Sequence, residues 1–309
     1  MKKIVVAGAV TLPTRRSAIT AGFATVVVGA VVAMTAPAAA INTYNSEAAP
    51  ERTEVGAFVA LWDTDDDGVV DRLDWVCSGA MVDDDTFLTA AHCTDDWPEG
   101  TRFFVSLEQD IQTPLDDAVA EGLTASEAAD ELLADGVIVE GDSHQDAAYP
   151  GPASDPHDIG VLDFASRAVT PADVWSFTPA TLPTAGLLDT IGRDARSASS
   201  WLVVGYGTEE ALRGPGGHTH PGGGTRRKAA EGFTALNKAW VRLDMHERHD
   251  FGGACYGDSG GPNFVVLGGQ LVLAATTITG DTPCYATNVA YRTDTAAARA
   301  FLATYVDLP

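Results

Sequence analysis

Three short motifs in this sequence carry residues that can act together in nucleophilic catalysis. A Thr-Ala-Ala-His-Cys motif holds His92, an Asp-Ile-Gly-Val-Leu motif begins at Asp158, and a Gly-Asp-Ser-Gly-Gly-Pro motif holds Ser259. A serine hydroxyl is a weak nucleophile unless a turn exposes it beside a base. A histidine oriented by a carboxylate is such a base. The order His, Asp, Ser along the chain therefore predicts acyl transfer at Ser259.

Taken alone, each motif also has an ordinary structural interpretation. Gly, Asp and Ser all favour turns, so the Ser259 motif by itself could be a surface turn. A lone histidine is more often structural than catalytic, and a lone aspartate is usually solvated. The neighbouring sequence favours catalysis. Apolar residues 263–267 and 270–278 predict a hairpin that supports the Ser259 turn, and Asp158 directly precedes a buried-strand pattern.

The elements that must position these residues are predicted to be mainly strands. Short apolar segments separated by glycine occur at 103–107, 136–139, 201–207 and 239–243. Between residues 293 and 306, apolar side chains recur near helical spacing, which predicts a closing helix. The pattern indicates one all-β domain.

An Ala-, Glu-, Asp- and Leu-rich segment, residues 115–135, separates the His92 and Asp158 motifs. Thr124 followed by Glu127 predicts a helix that begins with a capping box. A solvated surface helix or loop is favoured over a substrate-binding exosite, because most such insertions are surface structure.

The three catalytic motifs resemble those of the trypsin/chymotrypsin-like serine proteases, in particular the secreted bacterial branch, from about Ile41 to the C-terminus. The resemblance implies two antiparallel Greek-key β-barrels packed face to face, with a short C-terminal helix. The N-terminal barrel would span about 41–180 and the C-terminal barrel about 181–309. Protein or peptide substrates, no required cofactor and a monomeric enzyme are the corresponding expectations.

The resemblance also assigns a role to each catalytic residue. Ser259 would be the nucleophile, His92 the general base and then acid, and Asp158 the group that fixes the His92 tautomer. The backbone N–H groups of Gly257 and Ser259 would form the oxyanion hole. An inactive protease-like binding module and an esterase are the alternatives, and the presence of all three catalytic residues argues against the first.

The four cysteines predict disulfides rather than a metal site, because their number is even and no Cys-x-x-Cys spacing occurs. The sequence alone allows three pairings. The resemblance selects Cys77 with Cys93 and Cys255 with Cys284.

The N-terminus reads as an export signal, residues 1–40. Basic residues precede an apolar stretch from Ala18 to Met34, and small residues follow up to Ala40. Both Sec and twin-arginine export fit, and an uncleaved membrane anchor is the alternative. Cleavage after Ala40 would expose Ile41. In the family a new aliphatic N-terminus pairs with the aspartate before the catalytic serine, here Asp258.

A separate acidic motif matches the calcium-loop pattern D-x-D-x-D-G. The candidate oxygen ligands are Asp63, Asp65, Asp67, Val69 through its carbonyl, Asp71 and Asp74. The last position is Asp instead of the longer Glu, and the flanks predict strands instead of helices. A structural calcium ion and an acidic hairpin tip therefore both remain as interpretations.

The chain is strongly acidic, with a net charge of −24, and no acidic residue precedes Glu47. Such a surface repels polyanions, so we expect no nucleic-acid partner. Once the predicted signal is cleaved, we also expect no membrane partner. A secreted, extracellular protein is the corresponding prediction.

Substrate preference is predicted from one position that the resemblance places at the base of the primary pocket, Gly253. A glycine offers no negative charge there, so an apolar or aromatic P1 side chain is predicted instead of Arg or Lys. Thr277, Ile278 and Thr279 would pair with the substrate backbone, and Asn288 would narrow the pocket.

Overall fold

Residues 41–309, the part of the chain that this computed structural model describes, consist mainly of β-strands. The predicted signal peptide, residues 1–40, lies outside the described residues. The strands are β1 (Ser46–Ala48), β2 (Val55–Trp62), β3 (Arg72–Met81), β4 (Thr86–Thr89), β5 (Arg102–Ser106), β6 (Val139–Gln145), β7 (Gly160–Asp163), β8 (Trp201–Gly205), β9 (Leu212–Gly214), β10 (Gly217–Thr219), β11 (Arg227–Leu236), β12 (Trp240–Asp244), β13 (Pro262–Leu267), β14 (Gln270–Gly280) and β15 (Thr287–Arg292). The helices are α1 (Gln112–Glu121), α2 (Ala125–Ala134), α3 (Pro171–Val174), α4 (Leu187–Thr190), α5 (Arg193–Ala198) and α6 (Ala296–Leu302).

The first barrel closes in the antiparallel order β2-β3-β4-β7-β6-β5. Its interior is largely apolar, because β2 consists almost entirely of buried apolar residues and β4 adds the buried Phe87 and Leu88. The pairing of β4 with β7 places Thr89 opposite Gly160, which brings the ends of these two strands together.

The second barrel follows the order β8-β13-β14-β15-β12-β11 and closes through pairing of β11 with β8. Strand β1 adds to the outer edge of β11, so the segment that precedes the first barrel in sequence lies in the second sheet. The predicted double-barrel fold is confirmed. The predicted closing helix is α6, whose N-cap Thr295 accepts a hydrogen bond from the Ala298 N–H.

The insertion between β5 and β6 forms two helices, α1 and α2. The predicted capping box is present, since Thr124 accepts from the Glu127 N–H and the Glu127 carboxylate accepts from the Thr124 N–H. The prediction did not include α1. Gly122, at φ +79°, ends that helix in a left-handed conformation that glycine adopts without steric cost.

Two disulfides join Cys77 to Cys93 and Cys255 to Cys284, the pairings that the resemblance implied. The first ties β3 to the turn after β4, and the second links the loops on either side of the β13–β14 hairpin. Within residues 41–309, no helix has both the length and the apolar character needed to cross a membrane.

Candidate active site

His92 and Asp158 meet because they lie next to paired strand ends. His92 is in a 3₁₀ turn that follows β4, and Asp158 comes two residues before β7. The Asp158 Oδ2 atom is 2.9 Å from His92 Nδ1, and Oδ1 accepts from the His92 backbone N–H, also at 2.9 Å. Asp158 is buried. One carboxylate therefore fixes both the ring and the backbone of His92. Because Asp158 engages Nδ1, Nε2 is the ring nitrogen that can accept a proton.

The turn that carries Ser259 is anchored to the same region of the first barrel. The Ser259 carbonyl accepts from the Ser78 N–H at 2.8 Å. A Cβ added at Gly260 would overlap Thr89 Oγ1 and would lie 2.7 Å from the Ala90 N atom, so only glycine fits. The Ser259 turn thus packs against the two residues that precede the His92 turn, and the site spans both barrels.

Two backbone N–H groups of this turn are available to a ligand. Within the described chain, the N–H groups of Gly257 and Ser259 donate no hydrogen bond. The peptide before Gly257 is oriented because its carbonyl accepts from the Thr208 N–H at 2.7 Å. The peptide before Ser259 is oriented in the same way by the Gly261 N–H at 2.9 Å. Preorganised donors of this kind suit an oxyanion.

Asp258 is fully buried beneath the turn. Its carboxylate accepts from the N–H groups of Gly207 and Cys255, each at 2.8 Å. Burial raises the pKa of Asp258 to about 7. Within residues 41–309, no ion pair reaches this carboxylate.

Ile41 is also fully buried, and its N–H donates to the Gly207 carbonyl at 3.2 Å. In the intact chain the Ile41 nitrogen is therefore a peptide amide, not an ammonium. It is linked to the Asp258 carboxylate only through Gly207, whose N–H donates to that carboxylate. Ile41 has φ +67°, a left-handed conformation that is costly for a β-branched residue.

A cavity of about 260 Å³ opens beside Ser259. Its lining residues are Ala254, Cys255, Tyr256, Ser259, Thr277, Ile278, Thr279, Gly280, Asp281, Thr282 and Cys284. The three residues predicted to pair with substrate, Thr277 to Thr279, belong to this lining. Gly253 and Asn288 are buried and are not among the lining residues.

The space beside Gly253 is filled by two side chains from the second barrel. A Cβ added at Gly253 would overlap Met245 and would lie 2.8 Å from Glu231 Oε1. Glu231 Oε1 accepts from Asn288 Nδ2 at 2.9 Å, and Oε2 accepts from the Asn263 amide nitrogen at 3.0 Å. Burial raises the pKa of Glu231 to about 8. A neutral carboxyl and a thioether therefore adjoin Gly253 near pH 7.

Asn42 is hydrogen-bonded to Gly253 and to the loop that carries Cys284. Its backbone N–H donates to the Gly253 carbonyl, and its Oδ1 accepts from the Gly253 N–H, both at 3.0 Å. Its Nδ2 donates to the Cys284 carbonyl at 3.2 Å. The segment after Ile41 therefore connects two parts of the chain that border the cavity.

The acidic loop between β2 and β3 brings together only part of the predicted calcium set. Carboxylate oxygens of Asp63, Asp65 and Asp67 lie within 4.8 Å of one another. Asp71 accepts instead from Thr64, and Asp74 pairs with Arg72 on β3. The exposed Val69 follows this cluster. Three converging carboxylates fit a calcium ion in charge and ligand chemistry, with fewer ligands than the motif predicted.

A two-barrel fold with a histidine–aspartate pair and a serine turn at the junction defines the class of chymotrypsin-like hydrolases. The Trypsin family model matches residues 66–298, and the chain belongs to this family. No curated protein matches the sequence significantly. Trypsin-family proteins act on protein or peptide substrates, so membership supports a serine protease-like function.

Sequence reasoning missed Met245 and Glu231 beside Gly253, because no motif marks either residue. The polar role of Asn42 was also missed. Its only signal was that Ile41-Asn42 departs from the Ile-Val start that is usual in the family.

Proposed function

We propose that this protein is a secreted serine endopeptidase that cleaves peptide bonds through an acyl-enzyme on Ser259. The observation that carries the proposal is the pair of hydrogen bonds that the Asp158 carboxylate accepts from His92, next to a serine turn with two free N–H groups. Family membership supports the same chemistry.

In the proposed reaction, Ser259 Oγ attacks the carbonyl carbon while His92 Nε2 takes the hydroxyl proton. Asp158 holds His92 Nδ1–H and stabilises the imidazolium that forms. The N–H groups of Gly257 and Ser259 stabilise the oxyanion. His92 then protonates the leaving amine, which departs and leaves the acyl group on Ser259. Water attacks this acyl carbon while His92 takes its proton, and His92 returns the proton to Ser259 Oγ as the acid is released.

The proposed P1 preference is for an apolar or aromatic side chain. Gly253 contributes no charge, Met245 adjoins it, and the raised pKa of the Glu231 carboxyl keeps that group largely neutral near pH 7. Within the described residues, the one acidic residue that lines the cavity, Asp281, already accepts from the backbone N–H groups of residues 285–287, so a Lys or Arg at P1 would not meet an unpaired carboxylate there.

We further propose that signal cleavage after Ala40 produces the active enzyme outside the cell. A new Ile41 ammonium would lie close to the Asp258 carboxylate, because Gly207 is hydrogen-bonded to both groups, through its carbonyl to Ile41 and through its N–H to Asp258. Cleavage would also remove the strained φ angle, since φ is defined by the preceding peptide bond. N-terminal sequencing of the exported protein tests this step, and a start downstream of Ile41 would refute it.

The test of the proposed function is fluorophosphonate labelling of the exported protein, combined with a peptide library varied at P1. Ser259→Ala should abolish labelling and lower kcat/KM by about 10⁴-fold or more. Ser197→Ala, at an exposed serine on α5 away from the site, is the matched control. Absence of labelling in folded, correctly processed protein would instead support a non-catalytic binding module.

A further inference from the structure

Trp75, on β3, lies directly against the Ser259 turn. A Cβ added at Gly257 would overlap Cζ3 of the Trp75 ring, and Gly257 itself has φ +91°. The ring therefore packs on the Cα atom of the residue whose N–H is one of the two free donors. Any side chain at Gly257 would displace either the ring or the donor.

Two more glycines surround the same ring. A Cβ at Gly223 would overlap Cη2 of Trp75, and a Cβ at Gly224 would lie 2.9 Å from its Nε1. The Gly224 N–H donates to the Tyr206 carbonyl at 2.7 Å, which fixes this loop to the end of β8. Trp75 is thus enclosed by backbone from two loops, so its ring has little room to move.

The helical insertion holds the polar edge of the ring. Trp75 Nε1 donates to Gln112 Oε1 at 2.7 Å, and Gln112 is the first residue of α1. Gln112 Nε2 in turn donates to Asp116 Oδ1 at 2.8 Å. The N–H of Ile111 donates to the Gly224 carbonyl at 2.9 Å, which ties the start of the helix to the glycine loop.

We propose that Trp75 is a positioning residue for the oxyanion hole and that α1 holds it through Gln112. This inference rests on the proposed function, because it assigns a role to the insertion in that same reaction. The peptide between Tyr256 and Gly257 carries the N–H in question. The Trp75 ring contacts this peptide at the Gly257 Cα atom, and the Thr208 N–H donates to its carbonyl. Displacement of the ring would misalign the Gly257 N–H with a developing oxyanion and leave ground-state binding in the cavity largely unchanged.

The experiment compares Gln112→Ala, Trp75→Phe and Trp75→Ala in the processed enzyme. It measures kcat, KM and the inhibition constant of a peptidyl trifluoromethyl ketone, whose adduct on serine carries an oxyanion. We expect kcat to fall about 10-fold for Gln112→Ala and about 100-fold for Trp75→Ala, within the range for loss of an oxyanion donor. KM should stay within about twofold, and ketone affinity should fall in parallel with kcat/KM.

A double-mutant cycle separates this role from general destabilisation. Trp75→Phe keeps an aromatic ring but removes the Nε1–H donor. The kcat of the double variant, Trp75→Phe with Gln112→Ala, should therefore be no lower than that of the more damaging single variant. Trp175→Phe is the matched control, because Trp175 is also partly buried and its Nε1 donates to a side chain, Glu108, at 3.0 Å. Melting temperatures identify variants that fail to fold, and Gln112→Ala keeps the Trp75 side chain while it removes the acceptor of its Nε1–H.

Two results would overturn the inference. Folded Gln112→Ala and Trp75→Phe enzymes with kcat and ketone affinity within twofold of wild type would show that the ring does not position the donor. A loss confined to KM would assign Trp75 to substrate binding instead. Neither result would affect the proposed function, which fails only if the wild type lacks Ser259-dependent labelling and hydrolysis; in that case this inference fails with it.

Discussion

Asn42 is hydrogen-bonded to both backbone polar groups of Gly253, with its N–H on the carbonyl and its Oδ1 on the N–H. Its side-chain Nδ2 donates to the Cys284 carbonyl. A residue next to the proposed mature N-terminus therefore sets the spacing of two segments that border the cavity beside Ser259.

Replacement of Asn42 should weaken substrate binding more than chemistry. Asn42→Ala removes the acceptor for the buried Gly253 N–H, and an unsatisfied buried donor costs about 1–3 kcal/mol. We expect a rise in KM of about 10-fold with a smaller change in kcat, measured on the best library peptide. Asn45→Ala is the control, since Asn45 donates to a carbonyl at an exposed position. Equal KM values for the two variants would contradict this coupling.

The buried Asp258 predicts a pH-dependent difference between the intact and processed chains. An unfolded aspartate releases its proton near pH 4, whereas Asp258 in the intact fold keeps it up to about pH 7. Between these values the folded state binds more protons than the unfolded state, so this group lowers stability as pH rises from 4 to 7. A paired Ile41 ammonium would favour the charged carboxylate and remove much of that loss.

We therefore expect a chain that starts at Ile41 to be more stable than one that starts at Ala40, by on the order of 2 kcal/mol at pH 8 and by much less at pH 4.5. Urea unfolding in the Ser259→Ala background measures this difference without self-digestion. A difference that is the same at both pH values would argue against an Ile41–Asp258 ion pair.

Glu231 predicts a second pH effect. The Asn263 amide oxygen accepts from Thr277, and its nitrogen donates to Glu231 Oε2 at 3.0 Å, while Asn288 donates to Oε1. Burial nevertheless favours a proton on this carboxyl. The folded state holds this proton up to about pH 8, whereas an unfolded glutamate loses it near pH 4.3. Stability should therefore fall as pH rises from about 4 to 8.

Glu231→Gln keeps the size and the neutral charge of the protonated carboxyl without its titration, and its amide oxygen can still accept from Asn288. We expect this variant to match wild type at pH 4.5 and to exceed it by on the order of 2 kcal/mol at pH 9. Denaturant unfolding at both pH values provides the measurement, with the exposed Glu99→Gln as control. A variant less stable than wild type at pH 9 would show that the ionised carboxylate is the state the fold prefers.

The double-barrel fold could be predicted from the sequence because its motifs are local. His92, Asp158 and Ser259 each lie in a short motif next to a strand pattern, and the family resemblance then supplies the arrangement of the strands. The capping box at Thr124 was equally local. Gly122 was harder to interpret, since a glycine can either interrupt a helix or end one.

The contacts around Gly257 could not be predicted, because they join residues far apart in the chain. Trp75 precedes Gly257 by more than 180 residues, and Gln112 belongs to an insertion with no motif that points to the site. The two side chains beside Gly253 are Glu231, on β11, and Met245, directly after the neighbouring strand β12. Such packing follows from barrel closure, which sequence periodicity does not specify.

The last prediction concerns calcium at the acidic loop. Repulsion from Asp67 raises the pKa of Asp65, and a divalent cation among Asp63, Asp65 and Asp67 would relieve that repulsion. At a calcium concentration about 100 times the dissociation constant, the melting temperature of the Ser259→Ala protein should rise by about 5 °C over its value in chelator. Asp65→Asn should reduce this rise, whereas Asp84→Asn, at an exposed site outside the cluster, should not. Identical melting curves with calcium and with chelator would leave the acidic hairpin tip as the correct interpretation, because carboxylates held by backbone N–H groups need no ion to keep their turn.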